Sequence, residues 1–217
     1  WHEISFAPMS KFFPQNPEWI KYIKGGPFRR WYGNLDYILH YNKNPRHILS
    51  QKNATLLPLE NLSLPKGTWT DLTSGKFNAR IAPNDSFHDL SGHCFYPASE
   101  DLTWLLGFAN SKNADAFLSI INSSIHFQVG DIGKLPILPF SKDHVAKNVC
   151  NAVHASKLDW DSYETSWDFT TLPLLSSDHR GANMSETYAN VRTEWQSMTD
   201  EMQRLEEENN RIFIDAY

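Results

Sequence analysis

The chain has 217 residues, a net charge of −5, 41% apolar and 13% aromatic residues; this allows one substantial domain with an appendage or two small ones, with enough apolar mass to exclude wholesale disorder. Two cysteines, Cys94 and Cys150, form neither a disulfide framework nor a zinc ligand set and point to a reducing, cytoplasmic setting. No run of about eighteen apolar residues is present to span a membrane, and the first residue is Trp1 rather than Met, so the chain reads as a piece of a larger protein.

Charge is segregated. Residues 1–52 carry eight Lys/Arg against three acids, a net of +5, whereas residues 151–217 carry five against thirteen, a net of −8. A basic front and an acidic tail suggest different neighbours for the two ends.

In chain order, Ile4–Phe6, Trp31–Tyr32 and Leu35–Asn42 read as short strands between Pro and Gly turns, the last being the clearest. Leu56–Pro65 is Pro-bounded and reads as a loop. Gly67–Ala82, with a Thr-Ser-Gly turn, predicts a hairpin, and Phe87–Pro97 a strand pair or a bulged strand. From Glu100 the period changes: apolar residues at 102, 105, 106 and 109, then at 114, 117, 118 and 121, predict two helices with Ser111 capping the second. Phe127–Phe140 reads as extended chain, Lys142–Lys157 as a helix, Leu158–Leu175 as an aromatic-rich drape and Ser176–Asn183 as a linker. Beyond it, Tyr188, Val191, Trp195, Met198, Met202, Leu205, Asn209, Ile212 and Ala216 step by three and four, the heptad signature of one long helix. Asn183 and Glu186 stand at capping-box spacing before it. Its apolar stripe must be covered from within the chain or by a partner helix, and Asn209, the one polar a-site, reads as a register-setting residue of a helix-pairing seam.

No Gly-x-Gly-x-x-Gly or Walker loop, no Asn-Pro-Pro-Tyr-type tetrapeptide and no Gly-x-Ser-x-Gly elbow occurs, and His88, His93 and Cys94 fall short of a zinc set. No catalytic or metal residue is therefore assigned. The segment Lys24–Asn34, KGGPFRRWYGN, together with Leu105–Ile137, resembles the large adenine-specific DNA methyltransferases of BREX phage-defence systems (the PglX family) and, more broadly, type IIG restriction-modification enzymes. Residues 1–6, 159–169 and 205–217 share the resemblance. It implies the part C-terminal to the catalytic domain that selects the DNA site, so the chain is read as non-catalytic itself. Its parent would be an adenine DNA methyltransferase using S-adenosylmethionine, whose site matches nothing here.

The expected fold is α+β: a target-recognition domain over 1–175 with a mixed twisted sheet and a helical pair, then a linker and long amphipathic helix over 176–217. The expected partners are duplex DNA, the chain's own methyltransferase domain, and other defence subunits or a second copy through the last helix. The DNA-contact candidates are Lys24, Arg29, Arg30, Lys43, Arg46, Lys76 and Arg80 for phosphates and base edges, Gly25 and Gly26 for close approach, and Tyr32 and Asn34. Gln128 and Asp131 are secondary. Trp31 and Tyr32 either pack the loop down or stack on a flipped base. The alternative is an interaction module that docks through the heptad helix.

Overall fold

A computed structural model of the chain describes residues 19–40, 59–73, 75–138 and 143–217. The expected strand at 4–6 and the cations Lys43 and Arg46 lie outside the described residues. The described elements are β1 (Trp19–Ile23), β2 (Tyr37–His40), β3 (Lys66–Trp69), β4 (Ala79–Ala82), β5 (Ser86–His88), β6 (Cys94–Phe95), α1 (Leu102–Ala109), α2 (Lys112–Ile121), the short α3 (Val129–Ile132), α4 (Asp143–Asp161) and α5 (Met184–Ala216).

The α+β class is borne out, with the strands divided between two three-stranded sheets. One has the order β2-β1-β5, with β1 antiparallel to β2 and parallel to β5. The other, β4-β3-β6, is antiparallel throughout. The hairpin expected over 67–82 is β3 and β4 in the register Gly67↔Ile81. The strand pair expected after it does not pair with itself, because β5 joins the first sheet and β6 the second. Lys66 ties the two sheets together. It is fully buried on β3, and its ammonium donates to the carbonyls of Asn61, Leu62, Asn84 and Ser86 at 2.8–3.2 Å, the last of these on β5. Four acceptors replace the water that a buried ammonium must give up.

The helical pair forms as the spacing predicts, and the Ser111 side chain accepts from the Ala114 N–H at the start of α2. The described part of the stretch expected to be extended, 127–138, is less so: the chain makes one turn of helix at α3 before Pro136. α4 buries Val145, Val149 and Ala152. α5 runs 33 residues, about 50 Å at 1.5 Å per residue. Its start is capped as read: Asn183 accepts from the Glu186 N–H, and the Glu186 carboxylate accepts from Ala182 N–H. Only part of its stripe is covered. Val191, Leu205 and Phe213 are buried against the chain's own elements, whereas Tyr188 and Trp195 remain about half exposed. Asn209, read as a register-setting residue of a helix seam, donates instead to the Gly107 carbonyl of α1 at 2.9 Å. Burying a Leu205 or Phe213 side chain contributes roughly 2 kcal/mol, and this anchors the C-terminal half of α5 on the helical pair and α4.

Candidate functional site

The 24–34 loop is bent by three residues with left-handed backbone: Trp31 (φ 71°), Gly33 (φ 120°) and Asn34 (φ 55°). Gly33 is required twice over, since a Cβ there would stand 2.4 Å from Arg29 Nε and 2.8 Å from the Trp160 ring. Asn34 is buried and donates to the Pro27 carbonyl at 2.9 Å, closing the turn. The loop then runs against the second sheet, where Trp31 N–H donates to Ala79 O and Ile81 N–H to Trp31 O, both at 2.9 Å. The Asn110 side chain completes that line by exchanging two 2.9 Å hydrogen bonds with the Ala79 backbone.

These bends turn the arginines toward the chain's own acids. Arg29 donates to Asp159 at 2.5 Å and to the Tyr32 carbonyl at 2.8 Å, with its guanidinium 5.0 Å from the centre of the Trp160 ring. Arg30 pairs with Glu206 at 3.2 Å and with Asp115 at 3.6 Å. The same Glu206 carboxylate accepts from the indole N–H of the buried Trp31 at 2.9 Å. Burial raises the Asp115 pKa, opposed by the charges of Arg30 and Lys76. Arg80 has no exposed surface and donates to Arg29 O, Asn78 Oδ1 and Thr70 Oγ1. Burial lowers its pKa to about 10, still far above neutrality, so it stays charged. The basic front and the acidic tail are thus partly each other's neighbours: Arg29 and Arg30 neutralise Asp159 and Glu206.

A different part of the candidate set meets solvent. Lys24, Gly25 and Gly26, with Tyr37, Thr70, Leu72 and Ser91, line an open cleft of about 220 Å³. Lys24 stands 3.8 Å from Asp89 and 5.3 Å from the centre of the Tyr37 ring. The close approach at the two glycines is made by the protein itself, since a Cβ on Gly25 would lie 2.6 Å from Ser91 O and one on Gly26 2.7 Å from the Asn34 amide. Lys76 is well exposed, 3.9 Å from Asp115. Tyr32 is half-buried under the Lys157 ammonium, 5.1 Å from its ring centre, and Lys157 in turn pairs with Asp161 and Asp168. Asp131 pairs with Lys134 at 3.4 Å.

Of one further cluster only Gln128 was legible in the sequence. Residues 125–128 lie antiparallel to 71–73 through Phe127 N–H to Asp71 O (2.7 Å) and Thr73 N–H to Ile125 O (3.0 Å). Trp69 Nε1 also donates to Phe127 O at 2.8 Å. Extended chain alternates its faces, so Phe127 is buried while His126 and Gln128 are exposed. Both reach the Asp71 carboxylate: His126 Nδ1 lies 2.9 Å from Oδ2 and Gln128 Nε2 2.5 Å from Oδ1. His93 Nε2, buried and without a hydrogen-bond partner, stands 3.8 Å from Oδ1. The alternation polar-Phe-polar at 126–128 was the available signal, but Asp71 is 55 residues away.

Compared with known proteins, the chain matches no family model. It is 30% identical over its whole length to the adenine-specific methyltransferase PglX of Lacticaseibacillus casei (strain Zhang). The likeness is to adenine-specific methyltransferases. A second relative, the adenine-specific methyltransferase BrxX of Escherichia coli O9:H4 (strain HS), is 28% identical over 98% of the chain. The chain spans about a fifth of the length of these curated relatives, 19% of PglX and 17% of BrxX. The resemblance read from KGGPFRRWYGN and the 105–137 block is borne out by both. Among the described residues no helix is long and apolar enough to cross a membrane, and no group of three or more His, Cys, Asp or Glu is arranged to hold a metal ion.

Proposed function

We propose that this chain is the DNA-recognition part of an adenine-specific DNA methyltransferase of a phage-defence or restriction-modification system. It binds duplex DNA and selects the site that an attached catalytic domain modifies with S-adenosylmethionine. The observation that carries the reading is likeness along the whole chain to two adenine-specific methyltransferases, in a sequence that holds none of the catalytic or cofactor motifs. Recognition of DNA needs cations for phosphates and polar groups for base edges. The Lys24–Gly26 cleft with the exposed Lys76 supports the first, and the polar rim at His126 and Gln128 supports the second. Arg29, Arg30 and Arg80 serve the reading indirectly, by holding the loop in its bent shape.

The test is binding of the chain to a fluorescent duplex across a salt series. The logarithm of affinity falls linearly with the logarithm of salt, by roughly 0.9 per phosphate neutralised. Lys24→Ala with Lys76→Ala should lower that slope by about 1–2. Absence of binding even at low salt would sink the proposal. The exposed Tyr188 and Trp195 on α5 favour a second reading, a module that docks on other proteins; its binding would respond little to salt.

A further inference from the structure

We infer that His126 and Gln128 form a base-reading pair, held by Asp71 as a positioning residue, that selects the exocyclic amine of adenine or cytosine in the major groove. The inference rests on the DNA-recognition reading. An ionised carboxylate only accepts hydrogen bonds. A ring nitrogen facing Asp71 Oδ2 at 2.9 Å must therefore carry the proton, and so Nδ1–H donates. In a neutral imidazole the other nitrogen, Nε2, is then an acceptor. The same logic orients Gln128. Its Nε2 donates one N–H to Asp71 Oδ1 at 2.5 Å, which fixes the amide plane and leaves its oxygen as an acceptor beside its second N–H. Gln128 occupies the N-cap position of α3, and its side chain makes no capping bond there.

Asp71 thus fixes the orientation of two side chains: the neutral His126 ring presents Nε2 as an acceptor, and Gln128 presents its amide oxygen beside its second N–H. The carboxylate itself lies low, with 14% of its side chain exposed, whereas His126 is half exposed. The 126–128 segment is braced from below by the buried Phe127, its ring 5.2 Å from that of Phe77. Leu72 connects this rim to the Lys24 cleft: it lines the cleft and is bridged to His126. In the major groove the amine donors are adenine N6 and cytosine N4, while guanine O6 and thymine O4 are acceptors. The His126 acceptor therefore favours adenine or cytosine over guanine or thymine, and the Gln128 oxygen can accept from the same kind of amine.

Selection of bound duplexes from a randomised pool by the unsubstituted chain tests this. Adenine or cytosine should dominate at one or two adjacent positions, and the base found there distinguishes the two amines. His126→Ala and Gln128→Ala, both at exposed sites, should each relax the preference at those positions by roughly tenfold, with the salt slope and overall affinity retained. Asp71→Asn should relax the same positions, although Asp71 is the least exposed of the three. Nitrogen NMR of His126 should report the Nδ1–H form. Retained binding with unchanged base preference in His126→Ala and Gln128→Ala would overturn this inference and leave the DNA reading standing. An Nε2–H tautomer would overturn it as well. Failure of the unsubstituted chain to retain any duplex would overturn both.

Discussion

Glu206→Ala is the substitution on which the account of the 24–34 loop turns. The carboxylate accepts from Trp31 Nε1 at 2.9 Å and pairs with Arg30 at 3.2 Å, linking the loop to a helix 175 residues away in sequence. Trp31 is 2% exposed, so its indole N–H cannot turn to water when the acceptor is removed. An orphaned buried donor costs about 1–3 kcal/mol. The Arg30 pair adds about 0.5–1 kcal/mol, since both groups keep some solvent and Asp115 still neutralises the guanidinium. Glu206→Ala should therefore cost about 2–4 kcal/mol in denaturant unfolding, or roughly 5–15 °C in Tm for a chain of this size. Glu206→Gln keeps an oxygen for Trp31 and loses only the ion pair, so it should cost about 1 kcal/mol or less. A double-mutant cycle with Trp31→Phe isolates the hydrogen bond, with an expected coupling of about 1–2 kcal/mol. Equal effects of the Ala and Gln variants, or a coupling indistinguishable from zero, would refute the argument.

The two thiols should behave differently. Burial pushes the Cys94 thiol up to about 12, whereas Cys150 is exposed on α4, so one equivalent of alkylating reagent should add to the folded chain at mild alkaline pH and two in denaturant. Mass spectrometry reads the count, and rapid native modification of Cys94 would contradict the burial. Asn209→Ala should cost about 1 kcal/mol for the lost bond to Gly107. That loss should be the same over a wide range of protein concentration; a concentration-dependent loss would mean that Asn209 faces a second chain after all.

Local features of the fold were legible and distant ones were not. The two-helix turn with its Ser111 cap, and the start of α5 at Asn183, follow from spacing and capping chemistry within a few residues. The strand at Leu35–Asn42 appears as β2. The destination of the arginines was not legible. Three cations beside two aromatics read as an anion-binding loop, and only the fold brings Asp159 and Glu206 to them. Asn209 failed for a related reason: a polar residue in an apolar stripe signals a nearby polar group, and here it is the backbone of the chain's own α1. The Asp71 clasp combines both difficulties, because its meaning lies in the tautomer and orientation that a distant carboxylate imposes on His126 and Gln128.

The line of hydrogen bonds from Trp31 and Asn110 to Ala79 and Ile81 has a consequence beyond the loop's own shape. β4 is the last strand of its sheet, and its outward backbone groups would otherwise form an open edge, the template on which another chain adds a strand. Trp31 and Asn110 occupy that row with one left-handed residue and one side-chain amide, neither of which can be extended into a further strand. The loop that carries the cations is therefore also a guard against edge-to-edge association. A substitution that straightens it, at Gly33 for example, exposes the Ala79–Ala82 edge and sacrifices solubility before it costs the molecule its core.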